Sequence, residues 1–210
     1  MTHVHVVPFV GIAALIVVTP GVDMALVTRN GLRGGRAGAL ATAVGINVGV
    51  ALWTLAAAFG LAAVVRESGA LFDGVRLAGA LYLVVLGIRS MRAARRREAF
   101  VLSDRDGRMA LAPGTAFKQG LISNALNPKM AVLFTALLPQ FVDHGSAPLP
   151  QLLVLGAVFN VLGLAWLVGF ALAVARARSV LARPSVRRLQ YAISGAVLIA
   201  LGLRVALTRR

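Results

Sequence analysis

Cysteine is absent from all 210 residues, which excludes disulfide frameworks, thiolate metal sites and thiol redox chemistry. Acid is scarce: seven Asp and Glu stand against 22 Lys and Arg, giving a net charge of +15. Histidine occurs only as His3, His5 and His144, all outside the apolar stretches. His3 and His5 have a metal-ligand spacing, but a solvated terminus is the expectation there. Aromatics make up 6% of the chain, and Trp53, Trp166, Tyr82 and Tyr191 are too few for an aromatic cage. No nucleophile–base pair, carboxylate dyad or phosphate-cradling glycine loop is present, so an enzyme is not expected. No cofactor is implied either.

What the chain has is apolar length. Hydrophobic residues are 59% of it and the mean hydropathy is +0.83, well above a soluble domain of this size. Six apolar spans are readable, at roughly 6–28, 38–64, 71–90, 116–140, 149–175 and 187–207. Each has about 20 residues or more, enough to cross ~30 Å of hydrocarbon. The fold class expected is an all-α membrane protein of six transmembrane helices. The N-terminal stretch lacks a basic region and a cleavage site, and is expected to be a retained first helix.

The basic residues would suggest nucleic acid in a soluble protein. Here sixteen of them fall in the first, third and fifth loops, with only Arg66, Arg76, Arg204, Arg209 and Arg210 on the other side. That is the positive-inside pattern; it predicts odd-numbered loops in the cytoplasm and both termini outside. Nucleic acid is therefore not an expected partner, and the lipid bilayer is. The long third loop carries Asp104-Arg105-Asp106-Gly107, a fragment of a calcium loop without the remaining ligands, and a solvated turn is the reading.

The third loop also divides the chain. LYLVVLGIR (81–89) resembles AVLIALGLR (196–204) at an offset of 115, GINVG (45–49) resembles FNVLG (159–163) at 113, and Thr19-Pro20 matches Asn127-Pro128 at 108. Three spans per half force the halves to be inverted in the membrane. The expected organisation is a single domain, 1–210, with one three-helix repeat at 1–95, a cytoplasmic loop at 96–112 and a second repeat at 113–210. Inverted repeats are a transporter architecture, with the site where interrupted helices meet at the midplane.

Two interruptions are visible. In span four, Asn127 is a preferred N-cap and Pro128 suits the first helical position. Lys129 then places a full charge inside the span. In span one, Thr19 is the expected cap, Pro20 the first helical residue, Gly21 a point of close backbone access, and Asp23 an acid in the first turn. Helices one and four are thus predicted to be broken or kinked at proline. A buried Lys or Asp costs ~2.5–3.5 kcal/mol on insertion scales and needs a partner or a wet cavity. Asp23 and Lys129 either pair with each other or receive a ligand carrying both charges, such as an α-amino acid. Asn47 and Asn160, at equivalent places in spans two and five, either bond between helices or line the path. Gly45-x-x-x-Gly49 reads as a close-packing face.

These stretches together resemble the LysE/RhtB family of amino-acid exporters over nearly the full length. TPGVD (19–23), GGRAG (34–38) leading to GINVG, GALYLVVLG (79–87) and NPKMAVLFTALLPQF (127–141) carry the resemblance. Val22 departs from it, where the family commonly has a second proline. The resemblance implies proton-driven export of small amino acids or derivatives across the bacterial inner membrane by alternating access. It carries Pro20, Gly21, Asp23, Asn127, Pro128 and Lys129 over as the translocation core. Asp23, the only acid clearly inside a span, is the expected proton carrier. Pro139, Gln140 and Phe141 match too, as a gate or a helix end. The implied partners are an amino acid and protons; assembly into a homo-oligomer is open. A cation or metal exporter of a related branch and a non-transporting membrane scaffold are the competing readings.

Overall fold

The computed structural model describes residues 6–67, 74, 77–78, 80–81, 84–85, 87–89, 91–92, 111–143, 147–176 and 184–207. Among the described residues every regular element is helical. Helix α1 is Val6–Val18, α2 Val22–Glu67, α3 Pro113–Ala125, α4 Pro128–Val132, α5 Pro148–Arg176 and α6 Pro184–Leu207. The described residues of 74–92 are helical as well. His3, His5, His144 and the Asp104–Gly107 turn lie outside the described residues.

The first loop expected around GGRAG contracts to one residue. Helical hydrogen bonding runs along both sides of Gly35, whose backbone alone is non-helical, at φ 61° and ψ −155°. That region is essentially closed to residues with a β-carbon. The chain therefore turns abruptly, and α2 consists of two arms. The arms touch at once: a β-carbon on Gly38 would lie 2.7 Å from the Asn30 carbonyl oxygen. Fully buried Asn30 donates from Nδ2 to Thr42 Oγ1 at 3.0 Å and ties them.

Packing elsewhere follows the same rule. Lipid tails are as apolar as leucine, so helices in a bilayer associate through close contact and polar bonds more than through hydrophobic burial. Large apolar side chains accordingly point outward, as with Phe59 at 62% and Leu126 at 76% exposure. Small and polar residues lie inside: Thr42, Thr54, Asn124 and Gln151 are all buried. A methyl on Gly45 would overlap the Phe117 carbonyl, and one on Gly120 the Thr42 carbonyl, so the long arm of α2 and α3 meet backbone to backbone. The helical residues of 74–92 meet α6 in the same manner. A β-carbon on Gly87 would sit 2.7 Å from Gly195 O, and one on Gly202 2.7 Å from Ala80 O. Contacts at 87 with 195 and 80 with 202 make these two segments antiparallel.

Among the described residues two stretches, Val22–Gly60 and Pro148–Arg176, are long and apolar enough to cross a membrane, and α1 is a shorter apolar helix. The described residues form an all-helical structure, consistent with an all-α membrane protein.

Candidate functional site

The site begins at the first break. Helix α1 ends at Val18, and Thr19 closes it by donating to the Leu15 carbonyl from its amide (3.1 Å) and its hydroxyl (2.5 Å). The expectation that Thr19 caps the next helix at Pro20 is therefore corrected. A threonine hydroxyl at a helix end reaches back readily to the i−4 carbonyl, and Thr19 does so here. Pro20 and Gly21 are both non-helical. The Gly21 carbonyl accepts the first bond of α2, from Ala25 N at 3.1 Å. Asp23 still falls in the first turn of α2.

The second break has the expected form. The Asn127 side chain accepts from Lys129 N at 3.0 Å and Pro128 opens α4. The Asn127 amide itself closes α3 by donating to Asn124 O at 2.9 Å. Past α4 the helix changes register, to a π turn at Leu133–Leu137 and a 3-10 turn at Leu138–Phe141. Pro139 has no N–H with which to serve the carbonyl four residues back, so an α ladder cannot continue through it. The element ends with Phe141 edge-on to Phe9, ring centroids 5.2 Å apart. Pro139–Phe141 is thus a packed helix end.

Both breaks open onto one cavity with about 510 Å³ of non-atom space, part of it exterior. Of the residues singled out in the sequence, Gly21, Asp23, Asn47, Asn127 and Lys129 line it. Pro20 and Pro128 shape the breaks and are not among the lining residues. Asn160 is set one layer back. Its Nδ2 donates to Thr54 Oγ1 at 3.4 Å. With the amide turned end for end, it donates to the Asn47 carbonyl and accepts from Ala51 N, both at 3.1 Å.

The two charged residues, Asp23 and Lys129, both line this space. Asp23 Oδ2 accepts from Asn124 Nδ2 at 3.1 Å, while Oδ1 is buried with no hydrogen-bond partner. Lys129 is only 9% exposed. Its Nζ lies over Gly21, where an added β-carbon would come within 3.7 Å. A buried carboxylate with an unused oxygen is costly unless something supplies a donor. The arrangement offers one cavity both a carboxylate, from Asp23, and an ammonium, from Lys129. Among the described residues no group of three His, Cys, Asp or Glu side chains converges.

Two residues of the site escaped the sequence reading. Asn124, completely buried, holds the Asp23 carboxylate. Trp53 donates from Nε1 to the Asn124 carbonyl at 3.1 Å and so ties the end of α3 to α2. A polar network on the short arm of α2 was missed as well: Arg29 donates to Gln119 Oε1 at 2.7 Å and to Asn30 Oδ1 at 3.2 Å. The available signal was an amide and an indole in apolar spans, where polar groups need partners.

The model of the LysE type translocator family matches residues 14–209. Among similar proteins, the Bacillus subtilis (strain 168) membrane protein YrhP is 30% identical over 207 residues, 95% of this chain and 97% of that one. The homoserine/homoserine lactone efflux protein of Salmonella typhimurium is 30% identical over 159 residues, 76% of this chain and 75% of its own. The leucine efflux protein of Salmonella choleraesuis is 30% identical over 132 residues, 62% of this chain and 60% of its own. No solved structure matches the chain. With breaks, cavity and family model all falling within one stretch of sequence, the chain belongs to the LysE family of translocators.

Proposed function

We propose that this protein is a secondary-active exporter of small amino acids or their derivatives, coupled to protons and working by alternating access. The observation that carries the reading is a single cavity lined by one carboxylate, Asp23, and one ammonium, Lys129. An α-amino acid complements both poles: its ammonium suits Asp23 and its carboxylate suits Lys129. The efflux relatives agree with this class of substrate. A divalent cation would need several oxygen ligands, and the lysine opposite Asp23 disfavours it.

Asp23 is the proton-coupling residue in this account. Its carboxyl takes a proton when the substrate ammonium leaves, so the empty carrier returns with Asp23 neutral and with the single net charge of Lys129. Gly21 lies beside Lys129 Nζ, Asn127 holds the α4 end in place, and Asn47 lies on the wall with Asn160 behind it. Pro20 and Pro128 keep the two spans broken. The account includes six spans in two inverted halves in the bacterial inner membrane, with both termini outside. Two features favour the inverted repeat. The contact of Gly87 with Gly195 exchanges with that of Gly202 with Ala80 when the halves are swapped at an offset of 115. Asn47 and Asn160, equivalent at 113, are neighbours across α2 and α5.

The test is proton-coupled counterflow in inside-out vesicles. Asp23→Asn is expected to abolish uphill transport driven by a pH gradient while leaving substrate exchange measurable. Full gradient-driven transport by Asp23→Asn would overturn the coupling role.

A further inference from the structure

We infer that the substrate of this exporter has an uncharged aliphatic or thioether side chain of about leucine's size. The inference rests on the reading that Asp23 and Lys129 take the α-ammonium and α-carboxylate. Once those two groups are engaged, no other described charged side chain lines the cavity. A lysine or arginine side chain would then place a second cation in a buried space without a carboxylate, which is strongly unfavourable.

Apart from Thr19, Asn47 and Asn127, what remains of the wall is apolar or glycine. Ile16, Ile46, Val50, Met130, Phe159 and Leu167 all line the cavity, and none is more than 7% exposed. They come from four separate elements, so the apolar region is a surround and not one helix face. Phe159 is held in place from behind by Phe134, ring centroids 5.4 Å apart at 76°. A fixed ring on one side limits the length of the substrate side chain. Met130 faces the same space, and its flexible thioether adapts to differently branched partners. The combination accepts Leu, Ile and Met in preference to a single shape.

A substrate hydroxyl meets mostly occupied oxygens here: Asn47 Oδ1, on the wall, accepts from Asn160 once that amide is turned end for end. The Thr19 hydroxyl at the rim is already donating to Leu15 O. The Asn127 carbonyl oxygen of the side chain is taken by the α4 cap. A side-chain hydroxyl would lose its water bonds on entering and regain few of them. Apolar pockets reject smaller side chains by 10- to 200-fold per missing methylene.

The experiment is uptake into inside-out vesicles of radiolabelled leucine, alanine, homoserine and lysine by the intact protein. Leucine is expected to exceed alanine and homoserine by about tenfold or more in transport efficiency, with lysine at background. Homoserine or lysine carried as well as leucine would overturn the side-chain assignment and leave the exporter reading standing. Transport of none of the four would overturn both. Leu167→Ala and Met130→Ala supply a second readout through a gain. Whichever melts like the wild type is expected to raise the phenylalanine-to-leucine ratio several-fold by lengthening the cavity. An unchanged ratio in both folded variants would mean that the side chain does not touch this wall.

Discussion

Replacing Asn124 by alanine separates holding the site from holding the fold. Asn124 is fully buried, and its backbone carbonyl keeps the Trp53 and Asn127 bonds in the variant. Only the side-chain amide is lost. Its Nδ2 donates to the Asp23 carboxylate at 3.1 Å, a hydrogen bond to a charged group worth about 1.5–3 kcal/mol. Its Oδ1 is buried and unpartnered, pressed toward Gly49, where a β-carbon would approach to 2.9 Å. Removing an orphaned acceptor returns about 1–3 kcal/mol. The two terms nearly cancel, and hydrogen bonds inside membrane proteins average only about 0.6 kcal/mol in any case. Asn124→Ala is therefore expected to change stability by less than about 1 kcal/mol, a few degrees in melting temperature. Transport is a different matter, because a carboxylate freed to rotate swings toward Lys129 and closes the pair on itself. Misplacement of about 1 Å at such a site costs up to about 100-fold, and a loss of tenfold or more is expected. The assay pairs thermal melting in detergent with vesicle transport of the same preparation. Melting lowered by ten degrees or more would make Asn124 a structural residue and refute the reasoning. Unchanged transport would refute it from the other side.

Further expectations follow from single contacts. Gly35→Ala forces a β-carbon into φ 61°, ψ −155° and is expected to cost about 1–3 kcal/mol, read as a lower melting temperature with no change in substrate preference. Gly45→Val drives a side chain into the Phe117 carbonyl; overpacking of this kind costs about 1–3 kcal/mol or more, and loss of folded protein by size exclusion is the expected outcome. Asn127→Ala removes the cap on Lys129 N, for about 0.5–2 kcal/mol, and is expected to weaken transport more than Asn127→Ser or Asn127→Asp, which retain a capping oxygen. Lys129→Met keeps length and apolar stem, so folded yield is expected to hold while export falls to background.

Much of the site was legible because proline and charge are loud in an apolar background. Pro20 and Pro128 cannot serve a helical ladder, and Lys129 and Asp23 cannot sit in lipid alone, so both breaks and both charges announce themselves. The details that failed are those set by competition between nearby groups. The Thr19 hydroxyl could accept from an amide ahead or donate to a carbonyl behind, and it does the latter, leaving Gly21 to start α2. The GGRAG loop was legible as a turn, but not as a reversal concentrated at Gly35, because several adjacent glycines are equivalent on paper. Asn124 was hidden for a different reason: its partner Asp23 is 101 residues away, and no periodicity reports such a pairing. The same holds for Trp53, 71 residues from the carbonyl it serves. The π and 3-10 turns after Val132 follow from Pro139, yet how far upstream a missing donor disturbs the ladder depends on packing against α1 and α5.

The central claim is that one cavity reads both charges of a zwitterion, and equilibrium binding to the purified protein tests it most directly. Leucine, leucinamide and 4-methylpentanoate share a side chain and differ only in which charged group is kept. The account predicts that leucine binds, that leucinamide and 4-methylpentanoate each bind at least tenfold more weakly, and that Lys129→Met removes the preference for leucine over leucinamide. Equal binding of leucinamide and leucine by the wild-type protein would contradict it.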